Sequence, residues 1–122
     1  MNSLNSVFLP DERLYRAVRP DSIFWKEDGS LTSAAFKDKN GLSVQRGDYR
    51  ADKEVVEEMM RIGFEGRIVR VDVSDCNDAN AIVVYVPMDD NEYHSEIHSS
   101  NDKILLTSGQ ARQLARSAVV ID

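Results

Sequence analysis

The sequence has few of the residues whose chemistry reveals a function directly, since it contains one cysteine, two histidines and one tryptophan among 122 residues. The single cysteine, Cys76, excludes an internal disulfide, so we expect a reducing compartment and predict a cytoplasmic location. Its acidic neighbours Asp75 and Asp78 should raise the pKa of the thiol. This environment argues against a cysteine nucleophile.

Long apolar runs are also missing. No stretch approaches the roughly 20 residues that cross a bilayer, and residues 1–9 lack the basic and apolar segments of a signal peptide. We therefore expect no association with membranes. The composition is 42% hydrophobic and 30% charged, which is typical of a globular chain. We predict one domain over residues 1–122, with residues 1–10 as a loosely held arm.

Positive charge is the minority charge. The chain has 15 basic and 21 acidic residues and a net charge of -6, so its average field repels nucleic acids and nonspecific binding to them is disfavoured. Arg13, Arg16 and Arg19 form the densest local exception. Another protein is the partner that this composition favours, although an anionic small molecule is an alternative.

Alternating and helical patterns predict the fold class. Residues 51–62 place apolar side chains at helical spacing and end at Gly63, and Thr107 with Gln110 forms a capping-box pattern before a second helix at 108–118. Strands are predicted at the following ranges: 13–19, 67–73, 81–86, 91–100 and 119–122. We predict an α+β fold in which two helices pack on a mainly antiparallel sheet of about five or six strands.

The connections are also predicted. Residues 31–36 and 42–44 should be extended pieces joined by the Asn40-Gly41 turn. Residues 74–80 should be a loop across which strands 67–73 and 81–86 pair. Because 81–86 is apolar on both faces, we expect it at the centre of the sheet.

Both histidines lie in the stretch 91–100. As a strand, it places His94, Glu96 and His98 on one face. The two histidines would be about 13 Å apart, which argues against metal chelation, and no metal site is predicted. His94 suits a proton carrier with Glu96 as its partner, and Arg16 suits binding of an anionic group. The alternative is structural, with His94 hydrogen-bonded in a sheet and His98 in a loop.

Other side chains are candidates for ligand contact. Trp25 has the contact area to line a ligand pocket, and Ser33 and Ser43 supply hydroxyl groups. Arg16 shares a strand face with Leu14 and Val18, so burial would require a carboxylate or another acceptor for its guanidinium. The alternative is an arginine at a strand edge whose charged end extends to solvent.

Five short motifs resemble a group of small uncharacterised bacterial proteins. They are Leu14-Tyr15-Arg16, Ser33-Ala34-Ala35-Phe36-Lys37, Gly41-Leu42-Ser43-Val44, His94-Ser95-Glu96-Ile97 and Ala111-Arg112-Gln113-Leu114-Ala115. The group has a proline two residues before its histidine, whereas this chain has Glu92 there, and His98 is additional. The resemblance implies no activity, but it marks five positions for testing: Arg16, Ser33, Phe36, Ser43 and His94.

A second resemblance is to compact ADP-ribosyltransferase domains. Arg16, Ser33 and Glu96 follow the order of the arginine or histidine, serine and glutamate that surround a nicotinamide dinucleotide in those domains. Two functions therefore follow from the sequence. The first is a small bacterial interaction protein of a mobile-element, defence or toxin-immunity system. The second is an enzyme or nucleotide-binding domain with a pocket for an anionic ligand, for which the sequence identifies no cofactor.

Overall fold

A computed structural model describes residues 4–122, which form a six-stranded sheet with helices on both faces. The strands are β1 (Arg13–Val18), β2 (Leu42–Arg46), β3 (Arg67–Asp72), β4 (Ile82–Tyr85), β5 (His94–His98) and β6 (Val119–Val120). The helices are α1 (Asp52–Arg61), α2 (Val73–Asp78) and α3 (Ser108–Ser117), and a short 3₁₀ helix spans Ser33–Phe36.

The strand order in the sheet is β4-β5-β2-β1-β3-β6, and all neighbours are antiparallel. The prediction of an α+β fold with a mainly antiparallel sheet is therefore confirmed. The two long helices, α1 and α3, match the two that the sequence predicts, and the short α2 is additional.

The two faces of the sheet bury separate apolar clusters. On one face the 3₁₀ helix, α2 and α3 cover the larger cluster, which includes Leu42, Val69 and Ile97. On the other face α1 packs Val55 and Met59 against Tyr15 and Ile68. Alternation along each strand divides the side chains between these clusters.

Both long helices form for the reasons visible in the sequence. Helix α1 buries Val55 and Met59 one turn apart, and Gly63 follows it at a φ of 100°, a conformation that glycine adopts readily. At the start of α3 the backbone N–H of Gln110 donates to Thr107 Oγ1 at 3.1 Å, and the N–H of Thr107 donates to Gln110 Oε1 at 2.9 Å. The predicted capping box is confirmed.

Two predictions about the connections are wrong. Residues 31–36 contain the 3₁₀ helix instead of an extended piece, and the predicted loop 74–80 contains most of α2. Asp72 and Asp75 explain α2, because the Asp75 carboxylate accepts the Asp72 N–H at 2.8 Å and satisfies a donor at the helix start.

The strand pairing also differs from the prediction. Strand β4 lies at an edge of the sheet and pairs only with β5, whereas β3 pairs with β1 and β6. Helix α2 connects β3 to β4, so the two strands are not joined by a hairpin loop. The apolar sequence of β4 suggested a central strand, but it occupies an edge.

A buried ion pair holds the beginning of the described chain against the sheet. Arg46 and Glu12 are 2% and 1% exposed, and they form two hydrogen bonds of 2.7 Å. The Arg46 guanidinium also donates to the Asn5 carbonyl at 2.5 Å and stacks on the rings of Phe8 and Tyr85. Asn5 and Phe8 of the arm, together with Glu12, are therefore attached to Arg46 of β2.

Candidate functional site

Polar side chains from β2 and β5 share one face of the sheet. The register pairs Ser43 with Glu96 and Gln45 with His94, and directly opposed residues of an antiparallel ladder project to the same side. Strand β4 adds the side chains opposite Glu96 and His98. We call this surface the open face; its residues are Ser43, His94, Glu96, His98, Ile82 and Val84.

Helix α1 covers only the neighbouring half of this sheet face. Its apolar residues pack over β1 and β3, where Tyr15 and Ile68 are fully buried. The open face is half-buried, and within residues 4–122 Ile82 and Val84 belong to neither apolar cluster. The sequence prediction that His94, Glu96 and His98 project to one side is confirmed by this register.

His94 is fixed at both ring nitrogens. Its Nδ1 lies 2.9 Å from the Val86 carbonyl oxygen, and its Nε2 lies 3.2 Å from Ser43 Oγ. Because a carbonyl only accepts, Nδ1 must carry a proton. In the neutral ring Nε2 then accepts the hydroxyl proton of Ser43, an arrangement in which the hydroxyl faces a base whose orientation is fixed.

Arg16 meets Ser43 from the other side. Its Nε donates to the Ala35 carbonyl at 2.8 Å, and a terminal nitrogen donates to the Ser43 carbonyl at 2.9 Å. The β1–β2 register ends at Tyr15 and Gln45, so the guanidinium supplies a donor where the ladder stops. Burial lowers the pKa of Arg16, and the charge of Asp38 opposes that shift. The acceptors that its burial requires are backbone carbonyls.

Glu96 interacts with His98. Its Oε1 lies 2.8 Å from His98 Nε2, and both side chains are about one-fifth exposed. The carboxylate also lies over Gly41, where an added Cβ would stand 2.4 Å from Oε1 at a φ of 115°. Position 41 favours glycine because of its positive φ, and a side chain there would displace the Glu96 carboxylate. His98 is the last residue of β5, so the alternative that places it in a loop is wrong.

The structure brings three of the predicted site residues to one cavity. Arg16, Ser43 and His94 line a space of about 50 Å³ together with Met59 and Phe64. Pockets for drug-sized ligands are typically about 300–1,000 Å³, so this cavity is too small for a nucleotide.

The other candidate ligand contacts lie elsewhere. Phe36 is buried in the larger apolar cluster. Trp25 is half-buried, its Nε1 donates to the Arg19 carbonyl at 2.8 Å, and the Arg67 guanidinium lies 5.3 Å from its ring centre. Ser33 lines a separate cleft with basic side chains. No single pocket therefore contains all the residues that the sequence singled out.

Strand β4 presents an edge beside the open face. The Val86 N–H donates to the His94 carbonyl at 3.1 Å. Because inward and outward groups alternate along an antiparallel strand, Ile82 and Val84 bond inward and Val83 and Tyr85 direct their N–H and C=O groups outward. Within residues 4–122, no hydrogen bond is formed by the outward N–H and C=O groups of Val83 and Tyr85.

The sequence contained the signal for this edge, because the run Ile82–Tyr85 has no charge and no proline. The missing information was the strand order, since an apolar run is also typical of a central strand.

Cys76 is buried in α2. Burial and the nearby charges of Asp75 and Asp72 raise the pKa of its thiol to about 12. The expected direction of the shift is confirmed, although burial contributes more than the acidic neighbours.

The described residues add two general findings. Among residues 4–122, no three His, Cys, Asp or Glu side chains come together in a group suited to a metal ion. In the same part of the chain, the helices are all too short or too polar to cross a membrane. Comparison of the chain with protein-family models, curated proteins and solved structures gives no match.

Proposed function

We propose that this chain is a small binding protein that accepts an extended segment of a partner protein along the edge of β4. The observation that carries the proposal is an apolar edge strand whose Val83 and Tyr85 have outward backbone groups. Natural sheets usually protect such edges with charge, proline or a bulge. An unprotected edge is the surface on which a partner strand forms main-chain hydrogen bonds.

The charges at the ends of β4 specify the partner further. Asp78 precedes the strand and Asp89 and Asp90 follow it, and all three are exposed. A partner segment with an apolar centre and Lys or Arg at its ends would complement this pattern. A second copy of this chain would bring the same acidic residues and another net charge of -6, so we favour a different protein.

The open face gives a bound segment a place for its side chains. Alternate residues of an added strand would lie beside Val84 and Ile82, and the others would lie on the side of Tyr85. Main-chain bonds would supply affinity, and these two surfaces would supply selectivity. The bacterial, cytoplasmic setting in a mobile-element, defence or toxin-immunity system stays a prediction from the sequence.

A peptide-display selection against the full chain tests the proposal, with Val83→Pro and Val83→Thr as a matched pair. Proline removes the outward N–H at an edge position where it is tolerated, whereas threonine keeps that N–H. We expect enrichment of extended apolar peptides with basic ends that bind wild type and Val83→Thr but not Val83→Pro. Selected peptides that bind all three proteins equally would contradict the proposal.

A second candidate function is chemistry at Ser43. It is favoured by one observation, the Ser43–His94 contact in a cavity that Arg16 also lines. The small cavity and the separate position of Ser33 count against a nucleotide site. A fluorophosphonate probe that labels Ser43 in wild type but not in His94→Ala would support this function. Absence of labelling under denaturant-free conditions would remove it.

A further inference from the structure

A second cleft lies near the opposite edge of the sheet from β4. It has a volume of about 440 Å³ and lies between α3 and the segment from Lys26 to Ser33. Its walls carry Lys26, Arg112 and Arg116, and Ala115 and Val120 form part of an apolar floor. We call it the cationic cleft. Its volume falls within the usual range for small-molecule sites, about 300–1,000 Å³.

Within residues 4–122, the two arginines of this cleft lack the carboxylate partners that other arginines have. Lys26 lies near Asp28, whose pKa is lowered by hydrogen bonds from Ser30 and by the charge of Lys26. Arg13, Arg46 and Arg70 each form an ion pair with a carboxylate. Within residues 4–122, no carboxylate oxygen lies within 4.0 Å of the charged nitrogens of Lys26, Arg112 or Arg116.

The two arginines of the cleft also repel each other. Arg112 and Arg116 are four residues apart on α3, so they project from the same side of the helix, where like charges are unfavourable. Three positive groups line this one cleft, although the chain has a net charge of -6. An anion bound between them would remove this repulsion.

The opposite wall contributes a free hydroxyl. Ser30 Oγ donates to Asp28 at 2.6 Å, and Thr32 Oγ1 donates to the Ile23 carbonyl at 2.5 Å. In the described chain no side-chain hydrogen bond is formed by Ser33 Oγ, so this hydroxyl can donate into the cleft. The sequence singled out Ser33 as a ligand contact, and the structure places it opposite two arginines instead of beside His94.

We infer that the cationic cleft binds a small organic phosphate. The phosphate oxygens would accept hydrogen bonds from Arg112, Arg116 and Ser33, with Lys26 as an additional charge, because guanidinium groups match phosphate geometry. The organic part would contact the apolar floor around Ala115 and Val120. The chain as a whole has a net charge of -6, which opposes binding of a long nucleic acid.

Isothermal titration with inorganic phosphate and phenyl phosphate at constant ionic strength tests this inference on the full chain. Arg112→Gln and Arg116→Gln should each raise the dissociation constant about tenfold, the effect of one lost charged hydrogen bond. Arg61→Gln is the matched control, since it removes the same charge from α1 on the other side of the sheet. That variant should change the constant by less than about twofold.

A second variant separates the contribution of the apolar floor to binding from the contribution of the charged side chains. Ala115→Leu should fill part of the cleft and weaken phenyl phosphate more than inorganic phosphate, while circular dichroism confirms folding. In NMR spectra, the backbone amide chemical shifts of residues 30–33 and 112–118 should change on binding. Absence of saturable binding, an equal effect of Arg61→Gln, or shifts confined to other residues would overturn the inference. These results do not depend on the β4 edge, so either proposal can fail alone.

Discussion

The α1-covered half and the open half of one sheet face differ in how far their side chains are shielded from solvent. In the covered half Tyr15 and Ile68 are fully buried against Val55 and Met59. In the open half the side chains are polar or only half-buried, and they interact mainly with each other, as His94 does with Ser43. The same antiparallel sheet thus has one half sealed by a helix and one half accessible from solvent.

The charged side chains also interact differently in the covered half and the open half. At the start of α1 the Asp52 carboxylate accepts hydrogen bonds from Tyr15 and Arg70, both at 2.5 Å, and from Arg13 at 3.2 Å. This network joins the helix to β1 and β3. In the open half, Glu96 and His98 make a local pair that joins no second layer. The difference indicates that the covered half serves stability, and it supports our proposal that the open half, with its edge β4, binds a partner.

The largest expected effect is a difference between the two halves in the free energy of unfolding that is lost when a buried side chain is truncated. Met59→Ala in the covered half should lower the free energy of unfolding by about 2–5 kcal/mol, because the vacated volume cannot refill. Val84→Ala in the open half should cost about 1 kcal/mol or less, because its side chain is only half-buried. Urea denaturation measures both free energies of unfolding. Equal losses in the two variants would contradict the assignment of stability to the covered half.

The next effect is a pH dependence of the covered half. Burial alone would raise the pKa of Asp52, but the Tyr15 hydrogen bond and the charges of Arg70 and Arg13 outweigh it and hold the pKa below its ordinary value of 3.8. The contribution to stability is therefore fully present above about pH 4 and is lost as the pH falls through the lower folded-state pKa.

Asp52→Asn tests this dependence. The variant should be about 2 kcal/mol less stable than wild type at pH 7, since charged hydrogen bonds are lost, and the gap should narrow as the pH falls below 4. Urea titrations across the acid range measure the gap. Asp89→Asn, at an exposed position, is the control and should change neither the stability at pH 7 nor its dependence on pH. A gap that stays constant with pH would contradict the assignment.

The smallest effects compare two histidines of the open half. His94→Ala should cost about 1 kcal/mol, because it leaves the Val86 carbonyl and the Ser43 hydroxyl without their partner. His98→Ala should cost less than about 1 kcal/mol, because its pair with Glu96 is partly exposed to solvent. Thermal unfolding of the two variants measures the difference. Identical melting temperatures of the two variants would show that the contacts of His94 stabilise the fold no more than the His98–Glu96 pair does.

Much of the fold could be predicted because it depends on local patterns. The Thr107–Gln110 capping box, helix α1 and the alternation of His94, Glu96 and His98 all follow from side-chain periods within one element. Helix α2 could have been anticipated from Asp72 and Asp75, which form a short capping pattern. It was missed because its polar residues also suit a loop.

The sheet order and the site could not be predicted in the same way. Whether β4 is central or at an edge depends on which distant strands pair, and its apolar sequence is compatible with both. Arg16, Ser43 and His94 meet because β1 and β2 stop pairing after Tyr15 and Gln45, which has no local signal. Ser33 faces Arg112 and Arg116 only because the 3₁₀ helix packs near α3.

The most direct test of the open edge is amide hydrogen exchange of residues 82–86, measured by NMR with and without a designed peptide. The peptide alternates valine and threonine and carries lysine at both ends. In the free protein we expect rapid exchange at Val83 and Tyr85 and slow exchange at Ile82, Val84 and Val86, because only the latter three bond to β5.

Addition of the peptide should slow exchange at Val83 and Tyr85, and Val83→Thr should behave as wild type does. Protection of Val83 and Tyr85 in the free protein at every concentration would mean that the edge is already covered, and this result would contradict the account. Protection that grows with protein concentration alone would assign the edge to a second copy of the chain and would contradict the proposed partner.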